Sequence, residues 1–265
     1  MMSLNGWATH ANAIDGPEIE TIQCFTWPLK KSAVAGREIV SFNQISIIQA
    51  ESPYGSMQGN HKVITIEGGI GVGKSTVLRG LAQQMGPGVH FIDEPVAKWQ
   101  ESGMLQAMYD NQLPSGVFQQ MALMTRAASI LKALRLPGVH TIITERSPFS
   151  DLHVFAKTTL SGLTLQAYEL TYEELMSTLP GIDLHVILLD APIEVLLQRI
   201  ESRSRVAEKN IGKKYLEHLA DAHSRFFAEV NAVSRHRVNA VDSPSQILEN
   251  VYTIIRACVE DAKKP

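Results

Sequence analysis

The run from Gly68 to Ser75, Gly-Gly-Ile-Gly-Val-Gly-Lys-Ser, combines residue types that can bind phosphate. Its spacing is that of a phosphate-binding loop, G-x-x-x-x-G-K-[ST]. Glycines let backbone N–H groups turn towards phosphate oxygens, and a helix that starts here adds the positive end of its dipole. Lys74, which we expect to be an exposed loop residue, can reach the β- and γ-phosphates, and the Ser75 hydroxyl can bind Mg²⁺. The predicted nucleotide-binding residues of this loop are Gly68, Gly69, Ile70, Gly71, Val72, Gly73, Lys74, Ser75 and Thr76.

Charged residues also follow two other apolar segments of the chain. Glu94 comes directly after 89–93, and Glu145 and Arg146 come directly after 139–144. In a parallel sheet the carboxyl ends of the strands meet at one edge, where ligands bind. We therefore expect these side chains to lie beside the phosphate loop. Two other interpretations stay open, since a glutamate before proline can begin a helix and a Glu-Arg pair at a strand end can be an exposed ion pair.

The elements that must position these residues can be predicted from the apolar pattern. Strands are expected from Val63 into the loop and at about 89–93, 139–144, 184–190 and 237–241. Helices are expected at about 74–85, 119–136, 150–160, 172–179 and 193–201, and from about 245. Short strands that are apolar on both faces and alternate with helices are typical of a parallel sheet covered on both sides. The predicted fold class is α/β, and a strand before the loop with a helix after it argues against a merely flexible glycine turn.

The composition limits the class of protein. The 265 residues carry a formal charge of −3 and are 45% hydrophobic, so we expect one domain with an extension and no nucleic-acid partner. No apolar run approaches the length of a membrane helix. Cys24 and Cys258 lie far apart, which favours a reducing, cytoplasmic location, with mitochondria also compatible. Residues 1–60 have a turn-rich composition and are expected to be a largely disordered extension with some β character at 37–50, followed by the main domain at 61–265.

Three sequence motifs together resemble the deoxynucleoside kinases. They are Glu94-Pro-Val-Ala-Lys-Trp99, Phe118-Gln119 and Glu145-Arg-Ser147, and the resemblance covers about 61–261. It is greatest to deoxycytidine and deoxyguanosine kinases and weaker to herpes-type thymidine kinases. The resemblance implies a P-loop kinase fold with a five-stranded parallel sheet, flanking helices and an arginine-rich lid at about 199–212. It also implies a homodimer that transfers phosphate from ATP, with Mg²⁺, to the 5′-hydroxyl of a deoxyribonucleoside.

The same resemblance implies roles for the charged residues. Glu94 matches the general base, Arg146 a phosphate-contacting arginine and Glu145 a Mg²⁺-linked carboxylate, so the implied catalytic residues are Glu94, Arg146 and Lys74, and the implied metal ligands are Ser75 and Glu145. The lid arginines are Arg199, expected over the adenine of ATP, and Arg203 and Arg205, expected to face phosphates. Three arginines in seven residues could equally be a solvated helix face.

Substrate contacts are implied in the same way. The matching residues are Glu94, Trp99, Tyr109, Gln119, Arg126, Arg146, Asp151, Phe155 and Glu208. Gln119 matches a base-reading glutamine, Trp99 and Phe155 the apolar walls of the base site, and Tyr109 and Glu208 the pair that holds the sugar 3′-hydroxyl. Arg126 lies seven residues after Gln119, hence on the same helix face, and matches an arginine that pairs with Asp151. An ordinary surface ion pair is the alternative for these last two residues.

Two other functions remain compatible with the sequence. A thymidine or thymidylate kinase would use the same loop and lid, although no further arginine is placed to bind a substrate phosphate. A non-catalytic, nucleotide-sensing subunit could keep the fold, but such a relative should have lost Glu94 or the lid arginines, and this chain has both. The preferred base is expected to be cytosine or a purine. A carboxylate at Asp151 favours a base edge that donates from an exocyclic amino group, as cytosine and adenine do, while guanine could turn its O6 and N7 towards Arg126.

Overall fold

The structure is a computed structural model that describes residues 30–34, 37–41, 61–203, 205, 208 and 211–260. Strands β1 (Lys30–Val34) and β2 (Arg37–Ser41) form an antiparallel pair in which Lys30 lies opposite Ser41. Strand β2 agrees with the β character expected from residue 37 onward. Strand β1 was not predicted, and the expectation of disorder for the other residues of 1–60 lies outside the described residues.

Five parallel strands form the sheet of the main domain. They are β3 (His61–Gly68), β4 (Val89–Ile92), β5 (Thr141–Glu145), β6 (Ile182–Asp190) and β7 (Ser234–Asn239). Their order across the sheet is β4-β5-β3-β6-β7, and every neighbouring pair is parallel. The predicted α/β fold class is therefore confirmed, with β3 at the centre of the sheet.

The central strands are apolar on both faces because helices cover both sides of the sheet. The described residues contain ten α-helices and one π-helix around it: α1 (Lys74–Ala82), α2 (Val96–Glu101), α3 (Met104–Tyr109), α4 (Ser115–Ala133), α5 (Pro148–Ser150), the π-helix (Asp151–Ala156), α6 (Lys157–Thr159), α7 (Gly162–Ser177), α8 (Ile193–Arg203), α9 (Lys213–Glu229) and α10 (Pro244–Glu260). None of the helices that the structure describes combines the length and apolarity needed to span a bilayer.

Two hydrophobic clusters show how the strand pattern divides between the faces. Alternate residues of β3 point to opposite sides, so Ile64 packs in a cluster with residues of α1 and α10, whereas Val63 packs with residues of α4 and α9. The first cluster includes Leu78, Leu81, Ile143, Ile187, Val251 and Ile255, and the second includes Ile130, Ile142, Val186, Leu219 and Phe226. Because both faces of these strands are buried, a shift in strand register would move apolar residues out of their clusters. The register is therefore fixed, and so is the edge of the sheet at which the loops meet.

Some element boundaries differ from the sequence predictions. Helix α4 begins at Ser115, four residues earlier than predicted, because Pro114 precedes its first turn. Helices α2, α3 and most of α7 were not predicted, and the whole of α9 was missed. Leu216, Leu219 and Phe226 are buried along one side of α9, and their spacing of three and seven residues is the pattern that would have revealed it.

The helical segment predicted at 150–160 contains an unusual turn. Residues Asp151–Ala156 form a π-helix, with α5 before it and α6 after it. Such turns are rare and occur mostly as single bulges within α-helices, frequently at functional sites. This one carries both Asp151 and Phe155.

Candidate active site

The glycine loop joins the end of β3 to the start of α1. Gly68, Gly71 and Gly73 have φ values of 135°, 83° and 112°, in the left-handed region that side chains disfavour. A Cβ on Gly68 would overlap the backbone oxygen of Leu189 on the neighbouring strand. Glycine is therefore required here both for the backbone angle and for the close approach to β6.

Lys74 is buried, so its prediction as an exposed loop residue was wrong. Its ammonium group donates to the carbonyl oxygens of Gly68, at 3.2 Å, and Gly69, at 3.0 Å, and lies 3.9 Å from Glu145 Oε1. The curled loop surrounds the side chain with backbone oxygens. Burial, assisted by the charge of Arg146 and opposed by Glu145, lowers the pKa of Lys74 to about 8.

Glu94 lies just beyond β4 and interacts with two arginines. Its Oε1 atom is 3.2 Å from Arg146 Nε and also contacts Arg126 Nη2. Burial raises the pKa of this carboxyl, but the charges of Arg146 and Arg126 outweigh burial and lower the pKa to about 2. Pro95 separates Glu94 from α2, so the residue does precede a helix, as the simpler interpretation held, but its carboxylate belongs to this ion-pair network.

Glu145 and Arg146 are buried at the end of β5, which rules out an exposed ion pair. Arg146 has φ of 63°, an uncommon value for a residue with a side chain. Its N–H donates to Ile66 O at 3.1 Å, and its carbonyl accepts from Thr144 Oγ1 at 2.9 Å. Its guanidinium lies 4.6 Å from the centre of the Phe155 ring. Both the backbone and the side chain of Arg146 are therefore fixed by neighbours.

Glu67 is a buried carboxylate that the sequence analysis did not select. Its Oε1 accepts hydrogen bonds from Thr65 Oγ1 at 2.7 Å and from Ser147 Oγ at 2.9 Å. Its Oε2 has no hydrogen-bond partner among the described residues. The bond to Ser147 ties the end of β3 to the turn after β5. A glutamate near the end of a largely buried strand was the signal that could have identified it.

Arg126 and Asp151 form a buried ion pair, so the interpretation as a surface pair was wrong. Asp151 has no exposed area and Arg126 is 6% exposed. Arg126 Nη1 donates to Asp151 Oδ1, and its Nη2 donates to Glu94. Burial raises the pKa of Asp151 to about 7, against the opposing charge of Arg126. The guanidinium also lies 4.9 Å from the Trp99 ring and 5.7 Å from the Phe155 ring. One arginine thus connects the two carboxylates and the two aromatic walls.

The last predicted group is the lid. Arg199 on α8 donates to Val72 O at 3.2 Å, while Arg203 contacts the buried Glu208 and Arg205 Nη1 lies 3.2 Å from its Oε1. The other predicted lid residues at 204, 206, 207, 209 and 210 lie outside the described residues.

Two adjoining pockets contain nearly all of the predicted residues. The first, of about 270 Å³, is lined among others by Ile70, Gly71, Lys74, Ser75, Glu94, Trp99, Tyr109, Gln119, Arg126, Glu145, Arg146, Phe155, Arg203, Arg205 and Glu208. The second, of about 310 Å³, is lined among others by Gly71, Val72, Gly73, Lys74, Ser75, Thr76, Glu145, Arg199, Arg203 and Arg205. Of the predicted residues only Gly68, Gly69 and Asp151 line neither pocket, and each of them contacts a residue that does.

Helix α9 adds residues that were missed together with the helix. Tyr215 lines the first pocket, and His223 Nε2 lies 3.3 Å from Arg146 Nη1. Among the described residues no group of three or more His, Cys, Asp or Glu side chains is arranged to hold a metal ion. The protein ligands available to a metal at the loop are therefore few.

Comparison with known proteins places this architecture in a family. Residues 64–259 match the family described as deoxynucleoside kinase. The chain belongs to the deoxynucleoside kinase family. This confirms the resemblance predicted from the three motifs, and it makes this kinase a nucleotide-binding phosphotransferase.

Individual relatives cover most of this kinase. A probable deoxycytidine kinase of fowlpox virus is 30% identical over 76% of this chain and 91% of its own length. The mitochondrial deoxyguanosine kinase of Xenopus laevis is 32% identical over 63% of this chain and 74% of its own, and a thymidine kinase of ictalurid herpesvirus 1 is 29% identical over 73% and 85%. A solved deoxyadenosine kinase from M. mycoides, with products dCMP and dCDP bound, shares the fold with a TM-score of 0.63 at 23% identity, over 74% of this chain and 99% of its own.

Proposed function

We propose that this kinase transfers the γ-phosphoryl group of ATP to the 5′-hydroxyl of a deoxyribonucleoside. The observation that carries the proposal is the junction of the two pockets. Both pockets are lined by Gly71, Lys74, Ser75, Glu145, Arg203 and Arg205. The second pocket lies along the glycine loop, where ATP would bind, and the first continues to Trp99 and Phe155, where a base would bind. The shared residues are those expected around a phosphoryl group that passes from one pocket to the other.

The charges at the junction fit the needs of this reaction. Phosphoryl transfer depends on positioning and on cations that stabilise charge on the phosphate oxygens. Lys74 would hold the β- and γ-phosphates, and Arg146 would contact the transferring group. Glu94, which lines the nucleoside pocket beside Arg146, would accept the proton of the 5′-hydroxyl. Because the positions of all three are fixed by hydrogen bonds, they need little reorganisation during the reaction.

Mg²⁺ fits this junction as a cofactor. Ser75 supplies a hydroxyl oxygen and Glu145 a carboxylate, and both residues line both pockets. Mg²⁺ is commonly bound through one or two protein oxygens together with substrate phosphates and water, which agrees with so small a ligand set. When bound, the ion would neutralise charge on the ATP phosphates.

Aromatic and polar residues in the first pocket would bind the nucleoside. Trp99 and Phe155 would form the apolar walls, and the Gln119 amide, which offers a donor and an acceptor, would read the base edge. Tyr109 and Glu208 line the same pocket, as a pair that binds the sugar 3′-hydroxyl requires. Arg199 would cover the adenine of ATP, and Arg203 and Arg205 would face its phosphates as part of a lid at 199–212.

The function is tested by incubating the purified chain with labelled ATP and each of the four deoxynucleosides separately. Formation of 5′-monophosphates, measured as four values of kcat/KM, is the expected result. We expect deoxycytidine or a purine deoxynucleoside to give the highest value and thymidine the lowest. Turnover only with thymidine, or only with thymidylate, would favour a thymidine or thymidylate kinase. No turnover with any of them would favour a non-catalytic nucleotide sensor.

The double change Arg126→Met, Asp151→Ala is expected to raise kcat/KM for thymidine relative to deoxycytidine. Thymine presents a carbonyl where cytosine presents an amino group. Asp151 lies behind Arg126 and outside the pocket lining, so this prediction requires its carboxylate to reach the base edge when a nucleoside binds, where a thymine carbonyl would leave two acceptors together. An unpaired buried polar group costs about 1–3 kcal/mol, which corresponds to a bias of roughly tenfold to a hundredfold. The measurement is the ratio of the two kcat/KM values at pH 8, where Asp151, with its pKa of about 7, is charged.

The pH dependence of that ratio provides an internal check. In the unchanged protein, discrimination against thymidine should weaken as pH falls below 7, because a protonated Asp151 can donate to the thymine carbonyl. The double variant should lose this dependence. An unchanged ratio in the variant, or a wild-type preference for thymidine, would show that this pair does not read the base.

We further propose that 61–265 forms the kinase domain and 1–60 an extension that catalysis does not need. All five strands of the parallel sheet and every proposed site residue follow residue 60. A chain that starts at His61 and fails to fold would contradict this.

The catalytic partners would be ATP and the nucleoside alone, without nucleic acid or membrane, in a reducing compartment such as the cytoplasm. Localisation by microscopy tests the compartment.

A homodimer is the proposed assembly. Four exposed apolar side chains support it: Val117 and Met124 on α4 are 53% and 48% exposed, and Leu163 and Leu170 on α7 are 82% and 65% exposed. Each pair is seven residues apart and so lies on one face of its helix, and α4 and α7 contact each other. Sedimentation of the whole chain as a monomer at micromolar concentration would contradict this assembly.

A further inference from the structure

His223 has a fixed proton position. The residue lies in the middle of α9 and is 2% exposed. Its Nδ1 is 2.7 Å from Leu219 O, and because a carbonyl oxygen can only accept, Nδ1 must carry the proton. The opposite nitrogen, Nε2, therefore keeps its lone pair when the ring is neutral. This is the nitrogen that faces Arg146.

The lone pair of His223 receives a hydrogen bond from the arginine. Arg146 Nη1 lies 3.3 Å from His223 Nε2, and a guanidinium group can only donate. A protonated imidazole would place two cations against each other at this distance. Burial, together with the charge of Arg146, lowers the pKa of His223 to about 3, in agreement with a neutral ring at physiological pH.

The guanidinium of Arg146 is thus held at two places. Its Nε lies 3.2 Å from Glu94 Oε1 and its Nη1 is bound by His223. The Phe155 ring, which His223 contacts edge-on at a centroid distance of 5.9 Å and an angle of 90°, has the guanidinium carbon of Arg146 over it, 4.6 Å from the ring centre. The backbone of Arg146 is fixed as well, by its left-handed conformation and by the hydrogen bond from its N–H to Ile66 O. Of these two partners of the guanidinium, Glu94 is charged and His223 is neutral.

We propose that His223 is a positioning residue, which orients Arg146 towards the transferring phosphoryl group without neutralising its charge. A second carboxylate in this place would also orient the arginine, but it would compete with phosphate for the positive charge. A neutral acceptor leaves that charge available. This inference rests on the proposed function for the phosphate-contacting role of Arg146, whereas the hydrogen bond and tautomer stand on the geometry alone.

The decisive comparison is between His223→Gln and His223→Glu, whose side chains have the same shape and differ in charge. We expect the glutamine variant to keep kcat within about fivefold of wild type, because its amide oxygen can accept from Arg146. The glutamate variant should fall about 10²-fold in kcat, the size of loss that a misplaced or neutralised group can cause. The nucleoside Kd should change little in both. The kcat of His223→Leu, whose side chain offers no acceptor, should lie between those of the glutamine and glutamate variants.

Stability is controlled separately. His185→Gln removes another buried histidine, on β6, away from both pockets, and should leave kcat within about twofold while reporting the cost of such a change in Tm. All rates are taken on protein shown to be folded by its thermal transition. Equal kcat for the glutamine, glutamate and leucine variants, or a glutamate variant that is faster than the glutamine variant, would overturn the proposal.

Nitrogen NMR of ¹⁵N-histidine-labelled wild type tests the chemistry without turnover. A neutral ring with the proton on Nδ1 between pH 5.5 and 8 is expected for His223, assigned by its absence from the glutamine variant. A proton on Nε2, or an imidazolium in this range, would overturn the proposal even in a fully active kinase. Conversely, absence of kinase activity with the expected tautomer would count against the proposed function and not against the hydrogen bond.

Discussion

Replacing Lys74 by alanine is expected to lower kcat by about 10³-fold or more, since removal of even one neutral donor to a developing charge costs about 10²–10³ in rate. Lys74 carries a full charge and lies where the two pockets meet. Steady-state kinetics with ATP and the best deoxynucleoside measure the effect. Because Lys74 is buried and bonded to the carbonyls of Gly68 and Gly69, a small loss of Tm should accompany the loss of activity.

Lys213→Ala is the matched control for this substitution. Lys213 is more than half exposed and pairs with Glu194 on the surface, so its removal should leave kcat unchanged. With a pKa of about 8, Lys74 is charged below that pH and progressively neutral above it. The apparent affinity of the unchanged protein for ATP should therefore fall as pH rises past 8. Near-normal turnover of the Lys74→Ala variant would disprove the assignment of the phosphate loop.

The second large effect is expected from Glu94→Gln, which keeps the shape of the side chain but removes its negative charge. General-base catalysis is typically worth about 10²–10⁴ in rate, and phosphoryl transfer, with its loose transition state, uses less of it. A carboxylate with a pKa of about 2 is also a weak base. We therefore expect a fall in kcat of about 10²-fold, at the lower end of that range, with the nucleoside KM changed less.

The pH profile distinguishes the possible roles of Glu94. Two arginines keep it ionised, so kcat should show no acid limb from this group above about pH 4. Glu101→Gln, an exposed change on the helix that follows, controls for the substitution itself. If kcat holds and only KM rises, Glu94 binds the substrate without acting as the base.

The sequence predicted the edge of the sheet at which the site forms because its signals are local. The spacing of Gly68 and Lys74 defines the loop by itself, and the strands before Glu94 and Glu145 are recognisable as short apolar runs. Parallel pairing then requires the three segments to meet, and the pairing of Ile66 with Glu145 and of Ile92 with Thr144 shows that they do. No long-range information was needed for this part of the prediction.

Residues whose roles depend on tertiary packing were harder to predict. Helix geometry placed Arg126 on the same face as Gln119, but it could not indicate that Glu94 as well as Asp151 would share the guanidinium. Glu67 and His223 act through Ser147 and Arg146, which are distant in sequence. The exposure of Lys74 was misjudged for a related reason, because burial by the carbonyls of its own loop depends on backbone angles that the motif does not encode.

The π-helix has a consequence for how length changes would be tolerated. A π-turn closes its hydrogen bonds from i to i+5 and so contains one residue more than an α-turn would need. Losing one residue between Asp151 and Phe155 would let the segment relax into a regular α-helix, whereas a deletion in an ordinary buried helix breaks its packing. With one residue fewer between them and α geometry in place of π geometry, the angle about the helix axis between the Asp151 and Phe155 side chains would change. Single-residue deletions, and not only substitutions, are thus an accessible evolutionary route by which the Phe155 ring, a wall of the pocket, could be separated from the Asp151 carboxylate behind it.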